Sequence, residues 1–496
     1  MERTDTSFAR PLGFDPRMRK IALVGIFFIE ILALSLPGKW WLFAGLFLIL
    51  VLGFVGLSYE VLRGRCDFVV MGWMLIFPLG YYFLSFPREH PVVTLDRVFL
   101  GILLVTSCFA DYRDNAGTLR PLRRSAIYWA FFLLFAAVAI PRAKLPLNSL
   151  RMWLEAFVFP ALLAWYVIRH FEVRRHLSKL HVITCVMVVY LAGIGMAEVV
   201  LQRDLLELPS SAVIVAGDYA ADSSNPAAEI LVRPNGPFGT VNSYAMVGAV
   251  SLIFLLFLKH ALKDRMPAWQ RCLHWLGVSS ALIVALIPLF KSVLISLVIV
   301  FFVDAWYQRG AARALRVGAV ISLGLSVLAL QLAFPVVFEE RADPVTFYSR
   351  IAQQKQTVML FMNHPINGVG LNNFNTAAEN GQSAFYESGE ALDYPHNNLG
   401  AVLAETGLTG FLPFLASQVL LVSAFRKLRS AASRDSKLVW KNFLFLFLIY
   451  WINGMALTIA YFEDLNLWYM FVIAALYKFA ITSSEAREGE LRLLAP

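Results

Sequence analysis

A chain of 496 residues with 58% hydrophobic and 16% charged side chains is too apolar for a soluble globule, in which about 25% of residues are charged. Its formal net charge of +9 does not mark a nucleic-acid partner, because the basic residues sit in short loops between apolar runs. Those runs are continuous, which excludes the short alternating segments of a β-barrel, so the expected class is an all-α polytopic integral membrane protein.

Residues 1–20 are polar and close on Arg17-Met18-Arg19-Lys20. They read as a cytoplasmic tail before an uncleaved first span. Spans follow at 21–36, 40–59, 67–86, 97–110, 125–140, 152–169 and 180–201. After a polar stretch over 202–240 come 241–261, 273–290, 292–307 and 314–337. A longer polar stretch, 338–396, precedes 397–425, 440–461 and 465–481, and residues 482–496 form a second tail. By the length rule this is about 14 spans, or about 12 if the short ones are set aside.

Lys and Arg concentrate in alternate loops, at 61–65, 111–124, 170–179, 259–271, 308–316 and 426–441. The bias puts these loops and both termini in the cytoplasm and turns 202–240 and 338–396 outward. Loops of that length between packed spans usually carry function. Cys66, Cys108, Cys185 and Cys272 form no CxxC or Cys/His cluster, so neither disulfide nor zinc is expected. No DxD or Walker pattern is present, so no nucleotide, metal or other cofactor is expected.

Within the longer outer loop, residues 346–363 lack Gly and Pro and predict an amphipathic helix, which His364-Pro365 would end. The turn-rich strip Gly368-Val369-Gly370-Leu371-Asn372-Asn373 follows. The loop closes on Tyr394-Pro395-His396-Asn397-Asn398, directly before an apolar helix. Imidazole titrates near neutrality, so His396 can take a proton from a hydroxyl. Asn397 would orient it, bind hydroxyls, or cap the helix. Glu405 inside the next span needs a partner, and its phase along the helix disfavours a dyad with His396. Gly400, Gly407 and Gly410 are expected to allow close helix packing. Arg233 and Arg350 in the two outer loops suit a phosphate or pyrophosphate, whose oxygens guanidinium groups bind in a bidentate way. Either could equally sit in an ordinary salt bridge. Lys291, between two apolar runs, is a third cation for the same site or a snorkelling lysine. Glu30, Glu155, Glu198 and Asp304 are scattered over several spans and read as structural.

Together these motifs resemble the O-antigen ligase and polymerase superfamily of bacterial envelope biogenesis. The match rests on Arg350, His364-Pro365-x-x-Gly368-Val369-Gly370, His396-Asn397 and then Gly407, Thr409 and Gly410. Arg233-x-x-Gly236-x-Phe238, followed by Asn242, resembles the family's other outer-loop signature. One departure is Phe290-Lys291-Ser292, where the family commonly has Ser-Arg; the charge survives without the bidentate fork.

The resemblance implies a GT-C-like membrane glycosyltransferase of the bacterial inner membrane, with its site facing the periplasm. Its donor would be a glycan on undecaprenyl pyrophosphate, used without metal. Its acceptor would be lipid A–core for a ligase, or a second lipid-linked glycan for a polymerase of O-antigen or exopolysaccharide. Carried onto this chain, His396 would be catalytic, and Arg233, Arg350, Lys291, Asn397 and Tyr394 would bind substrate. A transporter for lipid-linked glycans is the rival of another class, although no internal repeat marks a midplane site.

Overall fold

A computed structural model describes residues 66–86, 93–109, 120–206, 234–306, 344–380, 395–430 and 433–494, with 314, 317, 318 and 321 as isolated positions. Arg233, Tyr394, Glu30 and the expected spans 21–36 and 40–59 lie outside them, as does most of 314–337.

The described chain is almost entirely helical. The helices are α1 (Cys66–Ile76), α2 (Leu95–Phe109), α3 (Arg123–Ala139), α4 (Pro146–Met152), α5 (Phe159–His170), α6 (Val173–Leu201), α7 (Val241–Leu262), α8 (Ala268–Leu286) and α9 (Lys291–Trp306). They continue with α10 (Pro344–Asn363), α11 (Phe374–Asn380), α12 (Asn398–Ser430), α13 (Arg434–Ala456) and α14 (Glu463–Leu494). A π turn, Trp153–Val158, joins α4 to α5. The only strands among the described residues are β1 (Ser85–Phe86) and β2 (Val93–Thr94), an antiparallel pair.

Seven described helical segments are long and apolar enough to cross a membrane. The protein is therefore an all-α polytopic membrane protein. The count is below the expected 12–14 for two reasons. Three expected spans fall at least in large part outside the described residues. Four more are helical but not both long and apolar enough: the segments 67–83, α2 and α9 have 17, 15 and 16 residues, and α8 has 19 but opens on the polar stretch Ala268-Trp269-Gln270-Arg271.

Local chemistry sets the helix ends. The Thr240 hydroxyl caps α7 by accepting the Ser243 N–H at 3.1 Å, and Ser433 caps α13 through the Ser436 N–H at 2.9 Å. Helix α10 stops at Asn363, as His364-Pro365 predicts. Helix α7 and the Glu463–Thr482 part of α14 are buried on nearly every side, whereas α3 and α12 leave most of their apolar surface exposed. That contrast separates central from lipid-facing helices. Trp468 of α14 anchors the centre, donating its indole N–H to Ser251 of α7 at 3.0 Å and stacking on Phe77 and Phe471.

Candidate functional site

Helix α12 is organised around a break. Gly407 has φ 61° and ψ −166°, a region essentially restricted to glycine. The break releases helical backbone groups, and the strip after α10 uses them. Leu408 and Thr409 donate their N–H groups to the carbonyls of Pro365 (2.8 Å) and Ile366 (3.1 Å). In the opposite sense, Val369 and Gly370 donate to the carbonyls of Ala404 and Glu405, both at 3.0 Å. The motif around His364-Pro365 and the motif around Gly407-Thr409 are thus two sides of one stitched joint. The expectation that Gly407 serves helix packing is corrected: it makes the kink, and a Cβ there would overlap the Ile366 carbonyl. Gly400 does serve packing, because a Cβ would meet Thr357 of α10 at 3.0 Å.

Glu405 gains the partners that its burial requires. It is fully buried and accepts the Asn372 N–H at 2.8 Å, the Phe374 N–H at 3.3 Å and the Tyr461 hydroxyl at 2.5 Å. The carboxylate therefore binds the N-terminus of α11 and the segment between α13 and α14 to α12. The Ser149 hydroxyl donates to the Leu371 carbonyl at 2.7 Å. The Lys144 N–H donates to the Asn373 side chain at 3.1 Å. The strip is held from both sides.

This scaffold positions His396. Its φ is 44°, an uncommon left-handed conformation for a residue with a side chain. Asn397 directly after it caps α12, its side-chain oxygen accepting the N–H groups of Leu399 (2.9 Å) and Gly400 (3.4 Å). Of the roles foreseen for Asn397, capping is the one the geometry displays. Asn398 is buried and accepts the Ala460 N–H at 2.8 Å. Helix α10 runs parallel to the first arm of α12, and Gln354 donates to the Pro395 carbonyl. Arg350, one turn earlier on α10, is exposed. Burial, and then the Arg350 charge, pull the His396 imidazole from the usual 6.5 down to about 4. Arg350 is thus near enough for its charge to act on His396.

Lys291 is exposed at the first position of α9, after a tight hairpin in which Leu289 has φ 53°. Ser292 donates to Asn453 of α13 at 2.6 Å, and Gly454, the next residue, lies against Asn398. Lys291 thus stands at the same end of the bundle as His396. The other loop returns to this end too. The Gly236 N–H, at φ 55°, donates to Glu198 at 2.9 Å. Phe238 packs near Phe77, which stacks on Trp468 near the start of α14. Residues 234–238 are fixed there; Arg233 lies just outside the described residues.

A charged cluster at this end is not legible in the sequence. Arg97 bonds Glu155 at 2.6 Å and Glu463 at 3.0 and 3.2 Å, and Arg151 bonds Glu155 at 2.8 Å. Glu155 is paired in this cluster and Glu198 accepts the Gly236 N–H, while Asp304 pairs with Lys441 at the other end. The Glu405 ligand Tyr461 and the Gln354 brace carry no motif that would have singled them out. Among the described residues, no three His, Cys, Asp or Glu side chains form a metal-binding group.

A search among curated proteins returns no match. Residues 238–415 match the O-antigen ligase family, and this stretch, which holds Lys291, Arg350 and His396, belongs to the O-antigen ligase and polymerase superfamily that the motifs resemble.

Proposed function

We propose that the protein is a membrane glycosyltransferase that moves a glycan from undecaprenyl pyrophosphate to an acceptor hydroxyl on the periplasmic face of the inner membrane. The acceptor we favour is lipid A–core, the ligase reaction, in line with the description of the matched family. The observation that carries the reading is that α10, which bears Arg350, runs parallel to α12 and braces the turn before His396 through the Gln354–Pro395 bond, so that the Arg350 charge acts on His396. A neutral imidazole beside a guanidinium is what transfer from a pyrophosphate donor needs.

Arg350, with Arg233 and Lys291, binds the pyrophosphate and stabilises the charge that develops as it leaves. His396 takes the proton of the attacking hydroxyl. The new C–O bond forms at the anomeric carbon as the bond to pyrophosphate breaks, so one displacement inverts that carbon. The base stays neutral at working pH because burial, and then the Arg350 charge, oppose its protonation, and the dianionic donor offsets the Arg350 part when it binds. No metal enters this scheme.

The test uses the full chain in nanodiscs with undecaprenyl-pyrophosphate-linked glycan, with and without lipid A–core. Product only with lipid A–core supports the ligase; lengthened glycan from donor alone makes the protein a polymerase. Full transfer by His396→Ala would remove His396 from the mechanism. No transfer under any condition would favour a transporter of the same lipids.

A further inference from the structure

Helix α10 is amphipathic in an inverted sense. Its buried stripe is mostly polar, with Gln353, Gln356 and Thr357 beside Leu360, and its exposed face carries Ile351, Val358, Met359 and Met362. The Thr357 hydroxyl donates back to the Gln353 carbonyl at 2.7 Å. The side-chain oxygens of Gln353 and Gln356 have no partner, although the two residues are only 5% and 2% exposed. Gln353, Gln356 and Leu360 share one helix face by their i, i+3, i+7 spacing, and Leu360 packs with Phe374 and Ala378 of α11. Asn375, next to Phe374, holds another buried side-chain oxygen with no partner.

Buried acceptors without donors are unfavourable, and native chains keep few of them. Here two lie in α10, which carries Arg350 and braces the His396 turn through Gln354, and one lies in α11, which packs on α10 through Phe374 and Ala378. All are acceptors, so the complementary ligand is rich in hydroxyl donors. We propose that Gln353, Gln356 and Asn375 form a sugar-binding subsite whose side-chain oxygens accept hydroxyls of the glycan presented to His396. The two glutamines sit one turn apart, about 5–6 Å between their Cβ atoms, a spacing that hydroxyls of one or two sugar rings can bridge. The subsite rests on the glycosyltransferase reading and adds to it the residues that select the glycan.

Gln353→Met and Gln356→Met keep side-chain length and remove the acceptor. In nanodiscs, each is expected to raise KM for the lipid-linked glycan about tenfold, with kcat within about twofold of wild type. The thermal midpoint is expected to hold or rise, because an orphaned acceptor has gone. A KM equal to wild type overturns the subsite, and so does a midpoint lowered by several degrees in both variants, which would mean that the oxygens are paired internally. Should a Met variant fail to insert, Gln353→Asn and Gln356→Asn retract the carboxamide and are expected to raise KM similarly. A second readout needs no turnover: the free oligosaccharide cut from the donor should raise the midpoint of wild type but not of the Met variants. Binding without any transfer by wild type would sink the enzyme reading and leave the subsite. Transfer at unchanged KM by the Met variants would do the reverse.

Discussion

Tyr461 donates its hydroxyl to Glu405 across 2.5 Å, and through this bond the segment between α13 and α14 fixes the first arm of the helix that His396 opens. Glu405 is buried without exposure and also takes the N–H groups of Asn372 and Phe374. Removing it leaves these donors without an acceptor, and each orphaned buried group costs about 1–3 kcal/mol. Glu405→Ala should therefore lower the thermal midpoint in detergent by far more than Tyr461→Phe, which loses one bond to a charged group, about 1.5–3 kcal/mol. Equal midpoints for Glu405→Ala and wild type would show that the joint does not depend on this carboxylate.

Gly407 and Gly400 form a matched pair of tests. Alanine at Gly407 must adopt φ 61°, ψ −166° and overlap the Ile366 carbonyl; strain of this kind costs about 1–3 kcal/mol. Alanine at Gly400 meets one tight neighbour, the Thr357 methyl at 3.0 Å, with Asn397 and Gln354 at ordinary contact distances of 3.7 and 3.8 Å, and gains up to about 1 kcal/mol of helix propensity. Gly407→Ala should be clearly destabilised in a thermal scan at fixed rate, and Gly400→Ala close to wild type. The reverse order would contradict the kink.

Much of the outer architecture was legible in the sequence because its signals are local. His364-Pro365 ends α10, Asn397 caps α12, and the apolar runs on either side of Lys291 make a hairpin. The stitched joint was not legible as a joint, because its two strips lie about forty residues apart and nothing in either names the other. The Arg97–Glu463 pair, separated by 366 positions, is beyond any pattern argument, since single charges on different helices carry no register. The short spans escape a length rule for a related reason: α2 and α9 are shorter than a bilayer rule demands, and only packing tells a short buried helix from a crossing one.

That cluster carries its own prediction. The Glu155 side chain is 5% exposed and Arg97 11%, so Arg97→Ala removes the cation that Glu463 shares with Glu155 and leaves Glu155 to Arg151 alone among the described residues. Breaking a buried pair by removing one partner costs about 3–5 kcal/mol. The variant should lose most folded protein from the membrane, and Arg97→Ala combined with Glu155→Gln should recover part of it. An Arg97→Ala protein with wild-type yield and midpoint would refute a structural role for the cluster.

His396 gives a pH signature. Its folded value of about 4 lies below the ordinary 6.5. Between those values the unfolded chain binds a proton that the folded chain refuses, so stability falls as pH drops through about 6.5 to about 4 and is flat above it. Compared with His396→Asn, wild type should lose midpoint progressively over that window and run parallel to the variant above pH 7. Parallel curves throughout would mean that the imidazole is not held neutral.

Arg350 separates charge from geometry at the same site. It is the smaller of the two causes that lower His396, after burial. Arg350→Ala should therefore move the His396 titration upward, to a value short of 6.5 because burial remains. It should also cut kcat/KM for the lipid-linked donor about 100-fold, the scale for losing a group aimed at developing charge. Arg350→Lys keeps the positive charge and loses the planar fork. It should leave the His396 titration where it is and cost about tenfold in kcat/KM. The pH dependence of transfer at limiting donor reads both effects at once. A lysine variant that shifts the titration as far as alanine does would show that Arg350 acts on His396 through contact geometry rather than charge. An alanine variant with unchanged kcat/KM would remove Arg350 from the donor site.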